Sequence, residues 1–170
     1  MPPAKPISVP ALGKPVLPSS AAPPAASDAD AAALAHAAEL MFFAYRDFIA
    51  EPDRILAPLG LGRAHHRLLH FVARSPGIAI ADLLEILQIT KQSLARVLRD
   101  MMIGGYIAAE RGQRDKRQRL LYATARGRAL YEALSRSQHR RVMRARTQCG
   151  GDGFAAWRDF MQAMCNPPPK

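Results

Sequence analysis

The chain lacks the long apolar run that a membrane-spanning helix needs, since no stretch approaches about 18 consecutive apolar residues. We therefore expect no membrane span and a cytoplasmic protein. Residues 1–27 also lack the compact apolar core of a secretory signal, because prolines at positions 6, 10, 15 and 18 interrupt it. The same segment has no arginine, whereas transit peptides are normally rich in it. Eight of the fourteen prolines fall there, which predicts an extended or disordered tail over residues 1–27.

Motifs of enzyme active sites are missing as well. The chain has no glycine-rich loop that would cradle a phosphate, no nucleophile elbow and no cluster of ligands at convincing metal spacing. Its glycine pairs are better explained as helix ends. We therefore predict no catalytic residue, no cofactor and no metal, and we expect that the protein is not an enzyme.

Positive charge is concentrated in one part of the chain. Of the net charge of +10, residues 90–128 supply +7, from ten basic and three acidic side chains. Residues 111–119 alone hold five basic side chains and one acid. Basic clusters of this kind are typical of nucleic-acid-binding surfaces. A membrane-surface protein would instead favour one basic amphipathic helix. We interpret the nearest such segment, Arg136 to Arg146, as a solvated or DNA-flanking face.

A helix is predicted from Thr90 to Ile103, with one apolar and one polar face. Thr90 is a natural N-cap, and Gly104 with Gly105 can supply a left-handed stop. The buried stripe is Leu94, Val97, Leu98 and Met101, at helical spacing. Polar side chains in the first two turns are placed as in a helix that reads the major groove. Those candidate DNA contacts are Thr90, Lys91, Gln92, Ser93 and Arg96.

A basic hairpin is predicted directly after this helix. Tyr106 to Glu110 and Arg119 to Thr124 are short β-prone segments around the string RGQRDKRQ. An arginine inserted into a narrow minor groove gains from the enhanced negative potential there. We therefore add Arg114, Asp115, Lys116 and Arg117 to the candidate DNA contacts. For Asp115 the hypothesis is that its carboxylate holds the guanidinium of Arg117 in one rotamer.

The remaining elements are predicted to be mostly helical. A first helix starts at a Ser27–Asp30 capping box, carries Leu34, Ala38, Met41, Tyr45 and Phe48 as a seam, and ends at Glu51-Pro52. Further helices are expected at Arg63–Arg74, Ala81–Leu87 and Arg126–Arg146. A short strand is expected over 78–80, and Gln88 is expected in a turn that often uses glycine. The last helix begins after a break at 150–153, and its apolar stripe is too large for a monomer surface.

These segments resemble the MarR (multiple antibiotic resistance regulator) family of transcription factors. The resemblance rests on KQSLARVLRDM followed by GGYI, and on the string DKRQRLLYATARG. In that string Asp115, Arg117, Leu121, Thr124 and Gly127 match the family pattern D-x-R-x-x-x-L-x-x-T-x-x-G. The segment FFAYRDFIAEPDRILAPLGLGRAHHRLLHF further resembles a proteobacterial branch called PetP-like. The similarity covers roughly residues 30 to 165, so the N-terminal tail lies outside it.

The pattern and the resemblance predict a mainly α fold with a small β-wing. A winged helix-turn-helix DNA-binding lobe is joined to a helical dimerisation region in this prediction. We divide the chain into a disordered tail (1–27), an N-terminal dimerisation helix and loop (28–60), the winged helix-turn-helix domain (61–125) and C-terminal dimerisation helices (126–166). A homodimer would present two recognition helices to half-sites about one DNA turn apart, in a pseudo-palindromic operator.

The resemblance also implies a small aromatic or phenolic effector, bound between the dimer helices and the DNA-binding lobe. The candidate effector contacts are Tyr45, Arg46, His65, His66 and His70, since arginine can pair with a carboxylate and histidine can donate to it or report pH. Alternatively, these groups bond to one another and to backbone at an interdomain seam. His66 and His70 have metal-compatible spacing, but two histidines do not make a site.

The two cysteines, Cys149 and Cys165, flank the last helix. They are either a redox switch or two free thiols. Free thiols are favoured, because peroxide-sensing relatives usually place the reactive cysteine on the first helix.

We therefore predict a sequence-specific, homodimeric DNA-binding regulator, most simply a repressor released from its operator by a small-molecule effector. The alternatives are a winged helix used only for protein interaction, or a regulator that senses metal or redox state. Retention of the wing arginines argues against a pure interaction module.

Overall fold

The structure of the protein, a computed structural model, describes residues 27–112 and 115–165. The predicted mainly helical class with a small β-wing is confirmed. Apart from Ser27, the predicted tail lies outside the described residues, as does Arg114 of the wing. In chain order the elements are α1 (Asp28–Leu56), a 3-10 turn (Ala57–Leu59), α2 (Arg63–Arg74), β1 (Ile78–Ala79), α3 (Ile80–Leu87), α4 (Lys91–Ile103), β2 (Ile107–Arg111), β3 (Arg119–Ala123) and α5 (Ala125–Met164).

The described residues divide into two units, with the division between Glu39 and Leu40, inside α1. In the first unit, the described structure is Ser27 and the beginning of α1. Asp30 accepts bonds from the backbone N–H and the hydroxyl of Ser27, and its own N–H donates to the Ser27 hydroxyl at 3.2 Å. This reciprocal arrangement is the predicted capping box, which satisfies amide groups that the first helical turn leaves unpaired.

The helix α1 does not end at Glu51-Pro52, so the predicted boundary was wrong. Pro52 lies inside the helix, which continues to Leu56. Proline removes one helical hydrogen bond, at a cost of about 3 kcal/mol in a helix interior. Ile49, Pro52 and Leu56 are the buried residues of α1, spaced three and four apart. Burial of such side chains is worth about 1.5–3 kcal/mol each, so the buried stripe offsets the lost bond.

The three strands form one antiparallel sheet in the order β1-β3-β2. Ile78 pairs with Leu121, and Ile107 pairs with Ala123. This places β3, the last strand in sequence, in the middle of the sheet. The strands β2 and β3 form the hairpin that the sequence predicted.

One apolar core joins the helices of the winged lobe to the sheet and to α5. It is formed by buried side chains from the helices α2 to α5, from the three strands and from the end of α1. Its fully buried members include Leu56, Leu68, Leu69, Val72, Leu83, Leu94, Met101, Leu121 and Leu134. The apolar face predicted for α4 is therefore the face that packs, and the opposite face of this helix is exposed.

Two further details match the sequence-based expectations. Gln88 adopts a left-handed conformation, with φ of 52°, in the turn before α4, which is the predicted recognition helix. Its side-chain amide donates to the carbonyl of Glu85 at 2.7 Å, which partly compensates for the strained backbone. The helix α5 is interrupted at Gly150, where φ is 75° and ψ is 178°, at the predicted break.

Candidate DNA interface

The N-terminus of α4 is capped by the side chain of Thr90. Thr90 has extended backbone, and its hydroxyl oxygen accepts the backbone N–H of Ser93 at 3.2 Å. The same hydroxyl donates to the Ser93 hydroxyl at 2.9 Å. These bonds satisfy one free amide of the first turn and fix where the helix begins, as predicted.

The exposed face of α4 carries the predicted base-reading residues. Lys91, Gln92, Ser93 and Arg96 are exposed. Leu94, Leu98 and Met101 are buried on the other side, and Val97 is half-buried. Because the buried side chains turn towards the core, the four polar side chains of the first two turns are left on the solvent side of the helix.

The helix α4 ends in a tight connection to β2. Gly105 has φ of 70°, and the backbone N–H of Tyr106 donates to the carbonyl of Met101 at 2.9 Å. A Cβ on Gly104 would come within 2.6 Å of the Tyr106 ring, so only glycine lets this ring pack on the helix end. The predicted left-handed stop is therefore at Gly105, and Gly104 provides space.

The hairpin tip is ordered by Asp115, but not in the way that we expected. Its Oδ1 accepts the backbone N–H of Arg117 at 2.9 Å. No ion pair between the carboxylate and the guanidinium is present among the described residues, so the hypothesis of a direct rotamer lock was wrong. A carboxylate can bond to the backbone two residues later within a turn, and this bond shapes the chain instead.

The described part of the wing presents basic side chains to solvent. Lys116, Arg117 and Arg119 are exposed, and Arg119 pairs across the sheet with the exposed Arg111. Like charges directly opposite each other on neighbouring strands are destabilising in isolation. An anionic partner would remove this repulsion. The fourth wing arginine of the prediction, Arg114, lies outside the described residues.

The wing and the long helix α5 meet at Thr124. Its hydroxyl donates to the carbonyl of Gly105 at 2.7 Å and accepts the backbone N–H of Gly127 at 3.0 Å. Thr124 therefore caps α5 and also hydrogen-bonds to the chain just after the recognition helix. Arg126 makes a second contact between these elements, since its guanidinium lies over the Tyr106 ring and donates to the Tyr106 hydroxyl at 3.1 Å.

Four of the five residues that match the family pattern have a structural role in the fold. Asp115 shapes the tip, Leu121 is fully buried in the core, and Thr124 caps α5. Gly127 is buried where α5 passes the backbone of Tyr106, and a Cβ there would overlap with the Tyr106 carbonyl oxygen. Sequence reasoning singled out Thr124 and Gly127 only through the pattern, and it missed Tyr106 and Arg126.

The candidate effector residues fall into separate groups. On α1, Tyr45 is exposed, and the guanidinium of Arg46 bonds to Asp47 at 2.9 Å. That bond, more than the other nearby arginine, lowers the pKa of the Asp47 carboxyl below its ordinary value. On α2, His65 contacts α4 through Asp100. The structure therefore does not join these five residues into a single site.

His66 and His70 form the third group, on the half-buried side of α2. Burial and the neighbouring charge of His70 lower the pKa of His66. Burial, Arg74 and His139 lower the pKa of His70, whose ring lies 5.8 Å from that of Tyr131 on α5 in an edge-on arrangement. Both imidazoles are therefore favoured in their neutral form, which leaves each ring with one donor and one acceptor.

None of the five candidate effector residues lines either of two open clefts found among the described residues. One, of about 400 Å³, lies between the turn after α1 and the end of α4; it is lined by Leu59, Gly60, Leu61, Asp100, Ile103, Gly104, Tyr106 and Arg126. The other, of about 480 Å³, is lined by residues 131–143 of α5, among them Tyr131 and His139.

Within residues 27–112 and 115–165, no three His, Cys, Asp or Glu side chains are grouped as metal ligands. Cys149 and Cys165 are both exposed and free. Among the helices that the structure describes, none has the length and apolar character to cross a bilayer.

Comparisons with known proteins agree with this geometry. The model of the MarR family matches residues 59–118. The HTH-type transcriptional regulator PetP of Rhodobacter capsulatus is 45% identical over 129 residues, which cover 76% of this chain and 78% of that protein.

Solved structures with low sequence identity share the fold. A MarR-family regulator from Silicibacter pomeroyi is 23% identical, with a TM-score of 0.63 over 75% of this chain and 86% of that one. FabT of Streptococcus pneumoniae, solved in complex with DNA, is 14% identical, with a TM-score of 0.68 over 77% of this chain and 94% of that one.

Proposed function

Because the chain belongs to the MarR family of transcriptional regulators, we propose that it is a homodimeric repressor that binds a pseudo-palindromic operator. The observation that carries this proposal is the pairing of an exposed, capped polar helix face with an exposed basic wing. Lys91, Gln92, Ser93 and Arg96 lie on the helix, and Lys116 and Arg117 lie on the wing. A polar helix face reads the major groove in many winged-helix proteins, and a basic wing can contact the neighbouring minor groove.

In this proposal the two surfaces have different tasks. The helix α4 enters the major groove, where its first two turns contact base edges and phosphates. Arg117 enters the neighbouring minor groove, where a narrow groove concentrates negative potential. Asp115 supports Arg117 through the turn backbone, and Thr90 keeps the first turn of α4 in place.

The homodimer is supported by exposed apolar side chains on α1 and at the end of α5. Phe42 is 76% exposed and Phe43 is 51% exposed, while Trp157 and Phe160 are about half exposed. Large exposed apolar residues that cluster on one element usually mark an interface. A second copy of the chain is the simplest partner, because two-fold dimers bury the same patch on both subunits.

We further propose that a small aromatic or phenolic effector controls operator binding. The joint between α2 and α5 supports this idea, since the ring of His70 lies there beside Tyr131 and burial favours its neutral form. Tyr45, Arg46 and His65 stay candidate contacts of the effector in this proposal. Coupling between effector and DNA would typically be worth about 1–3 kcal/mol.

The test is fluorescence anisotropy with DNA from upstream of the protein's own gene and with a scrambled sequence of equal length. Wild type and Arg117→Ala are compared over a range of salt concentrations, with Arg158→Ala on α5 as a control of equal charge change. We expect selective binding that falls steeply with salt. Arg117→Ala should cost about 1–3 kcal/mol. Equal weak binding to both DNAs, insensitive to Arg117, would favour a protein-interaction module instead.

A further inference from the structure

His65 connects the start of α2 with the second half of the recognition helix. Its Nδ1 accepts the backbone N–H of Gly62 at 3.0 Å. Its Nε2 lies 3.3 Å from Oδ2 of Asp100, seven residues after Ser93 on α4. The imidazole is only 15% exposed, so the ring is held between the two helices. One side chain therefore bonds to both elements.

The bond to Gly62 determines which nitrogen of His65 faces Asp100 as a donor. Nδ1 can accept an N–H only when it carries no proton, and a neutral imidazole then has its hydrogen on Nε2. This hydrogen is donated to the carboxylate of Asp100. The contact is thus a directed hydrogen bond to an ionised acceptor, a type that is stronger than a bond between neutral groups.

Asp100 lies on the same side of α4 as two of the candidate base-reading residues. It follows Arg96 by four residues and Ser93 by seven, and these spacings place all three along one stripe of the helix. An acid four residues from an arginine ordinarily competes for its guanidinium. Within the part of the chain that the structure describes, Asp100 bonds to His65 and Arg96 has no ion pair. The guanidinium of Arg96 is therefore available to contact DNA.

Resting on the proposed function, we propose that His65 is a positioning residue, which fixes the rotation of the recognition helix through Asp100 and thereby sets operator selectivity. Functional side chains must be held within about 10–20° of their productive orientation. Contacts to base edges are directional, whereas contacts to phosphates position the protein without reading sequence. A small rotation of α4 would consequently weaken specific binding more than non-specific binding.

The test is a double-mutant cycle on the full chain, read by anisotropy with the operator and with scrambled DNA. The variants are His65→Ala, Asp100→Ala, the double variant, and His65→Gln, whose amide can still donate towards Asp100. His36→Ala, at an exposed position on α1, is the matched control. Asp100 is 45% exposed, so its removal tests the contact without disturbing a buried side chain. Thermal unfolding of each variant records any loss of stability.

We expect each single variant to lower the ratio of specific to non-specific affinity by about tenfold, within the range seen for contacting residues. In the double variant this ratio should fall no further than in His65→Ala alone. In His65→Gln the ratio should stay close to the wild-type value. The ratio also cancels the general gain in DNA affinity that follows from removing the Asp100 charge.

Three results would overturn the proposal. They are an unchanged ratio in both single variants, losses that multiply in the double variant, and a ratio that His65→Gln lowers as much as His65→Ala does. Wild type is measured first: if it shows no selectivity, the proposed function fails and this inference fails with it. If wild type is selective and the variants stay selective, only the role of His65 is refuted.

Discussion

Gly127, in the first turn of α5, is packed so closely against Tyr106, at the start of the wing, that a Cβ would overlap with the carbonyl oxygen of that tyrosine. The same carbonyl accepts the backbone N–H of Thr124 at 3.0 Å. The end of the recognition helix, the base of the wing and the first turn of α5 therefore share one contact point. A shift of α5 relative to the winged lobe would have to break it.

Gly127→Ala is expected to destabilise the fold, because the overlap falls on backbone that is itself hydrogen-bonded. Overpacking of this kind costs about 1–3 kcal/mol. In contrast, Gly151→Ala, at a helical position with no atom near the added methyl, should stabilise by about 0.5–1 kcal/mol. Urea unfolding followed by circular dichroism measures both. Equal stability of the two variants would contradict the close approach.

Thr90→Ala should destabilise the recognition helix, because the amide of Ser93 loses its acceptor. Loss of an N-cap typically costs about 1 kcal/mol. Thr147→Ala is the control, since the hydroxyl of Thr147 bonds only to the carbonyl of Met143 in mid-helix. Thermal unfolding should separate the two variants, and a similar loss in both would argue against the cap.

Asp115→Ala and Asp115→Asn should differ in their affinity for DNA. Asparagine keeps a side-chain oxygen that can accept the backbone N–H of Arg117, whereas alanine does not. One hydrogen bond is worth about 0.5–1.5 kcal/mol, so we expect the alanine variant to bind operator DNA about two- to tenfold more weakly than the asparagine variant. Both variants remove the same charge, and their anisotropy titrations are therefore directly comparable. Identical affinities would show that the turn bond is not used.

Stability should fall on acidification through the histidines of α2. His66 and His70 have pKa values below the ordinary 6.5, with burial as the main cause. The unfolded chain therefore binds protons first as pH falls below about 6.5, which favours unfolding. The free energy of unfolding is therefore unaffected by these histidines above about pH 6.5. It decreases as the pH falls from there towards their pKa values in the folded protein. His70→Phe should flatten the dependence of the urea midpoint between about pH 5 and 7.5, whereas His36→Phe, at an exposed site, should not.

Phe160→Glu should weaken the proposed dimer, because it places a charge in an apolar surface that a second copy would cover. The side chain is 56% exposed in the single chain, so its replacement leaves the core intact. Sedimentation velocity should show a shift from dimer to monomer at micromolar concentration. Ile86→Glu, which removes a 40% exposed apolar side chain from α3, is the control and should not change the mass.

Several local features could be derived from the sequence because neighbouring residues decide them. The helix α4 starts and ends where Thr90 and Gly105 predict, since caps act within one turn. The apolar stripe predicted which face of α4 packs. The basic residues around the hairpin predicted which surface would carry positive charge.

Other features could not be derived, because they depend on residues that are far apart in sequence. Pro52 is a strong local signal for the end of a helix, and the error at this position shows that burial against distant elements outweighed it. The partner of Asp115 was misassigned because spacing alone cannot distinguish a backbone amide from a guanidinium two residues later.

The sequence by itself determined the order of the elements, the polar face of the recognition helix, the basic wing and the family. Each of these features depends on short patterns of residue type along the chain. Only the tertiary structure decided that His65 bonds to Asp100, 35 residues away, and that Arg126 packs over Tyr106. It also separated the five candidate effector residues into different groups. These relationships arise when helices distant in sequence pack on one core, and packing geometry is not contained in the spacing of residues along the chain.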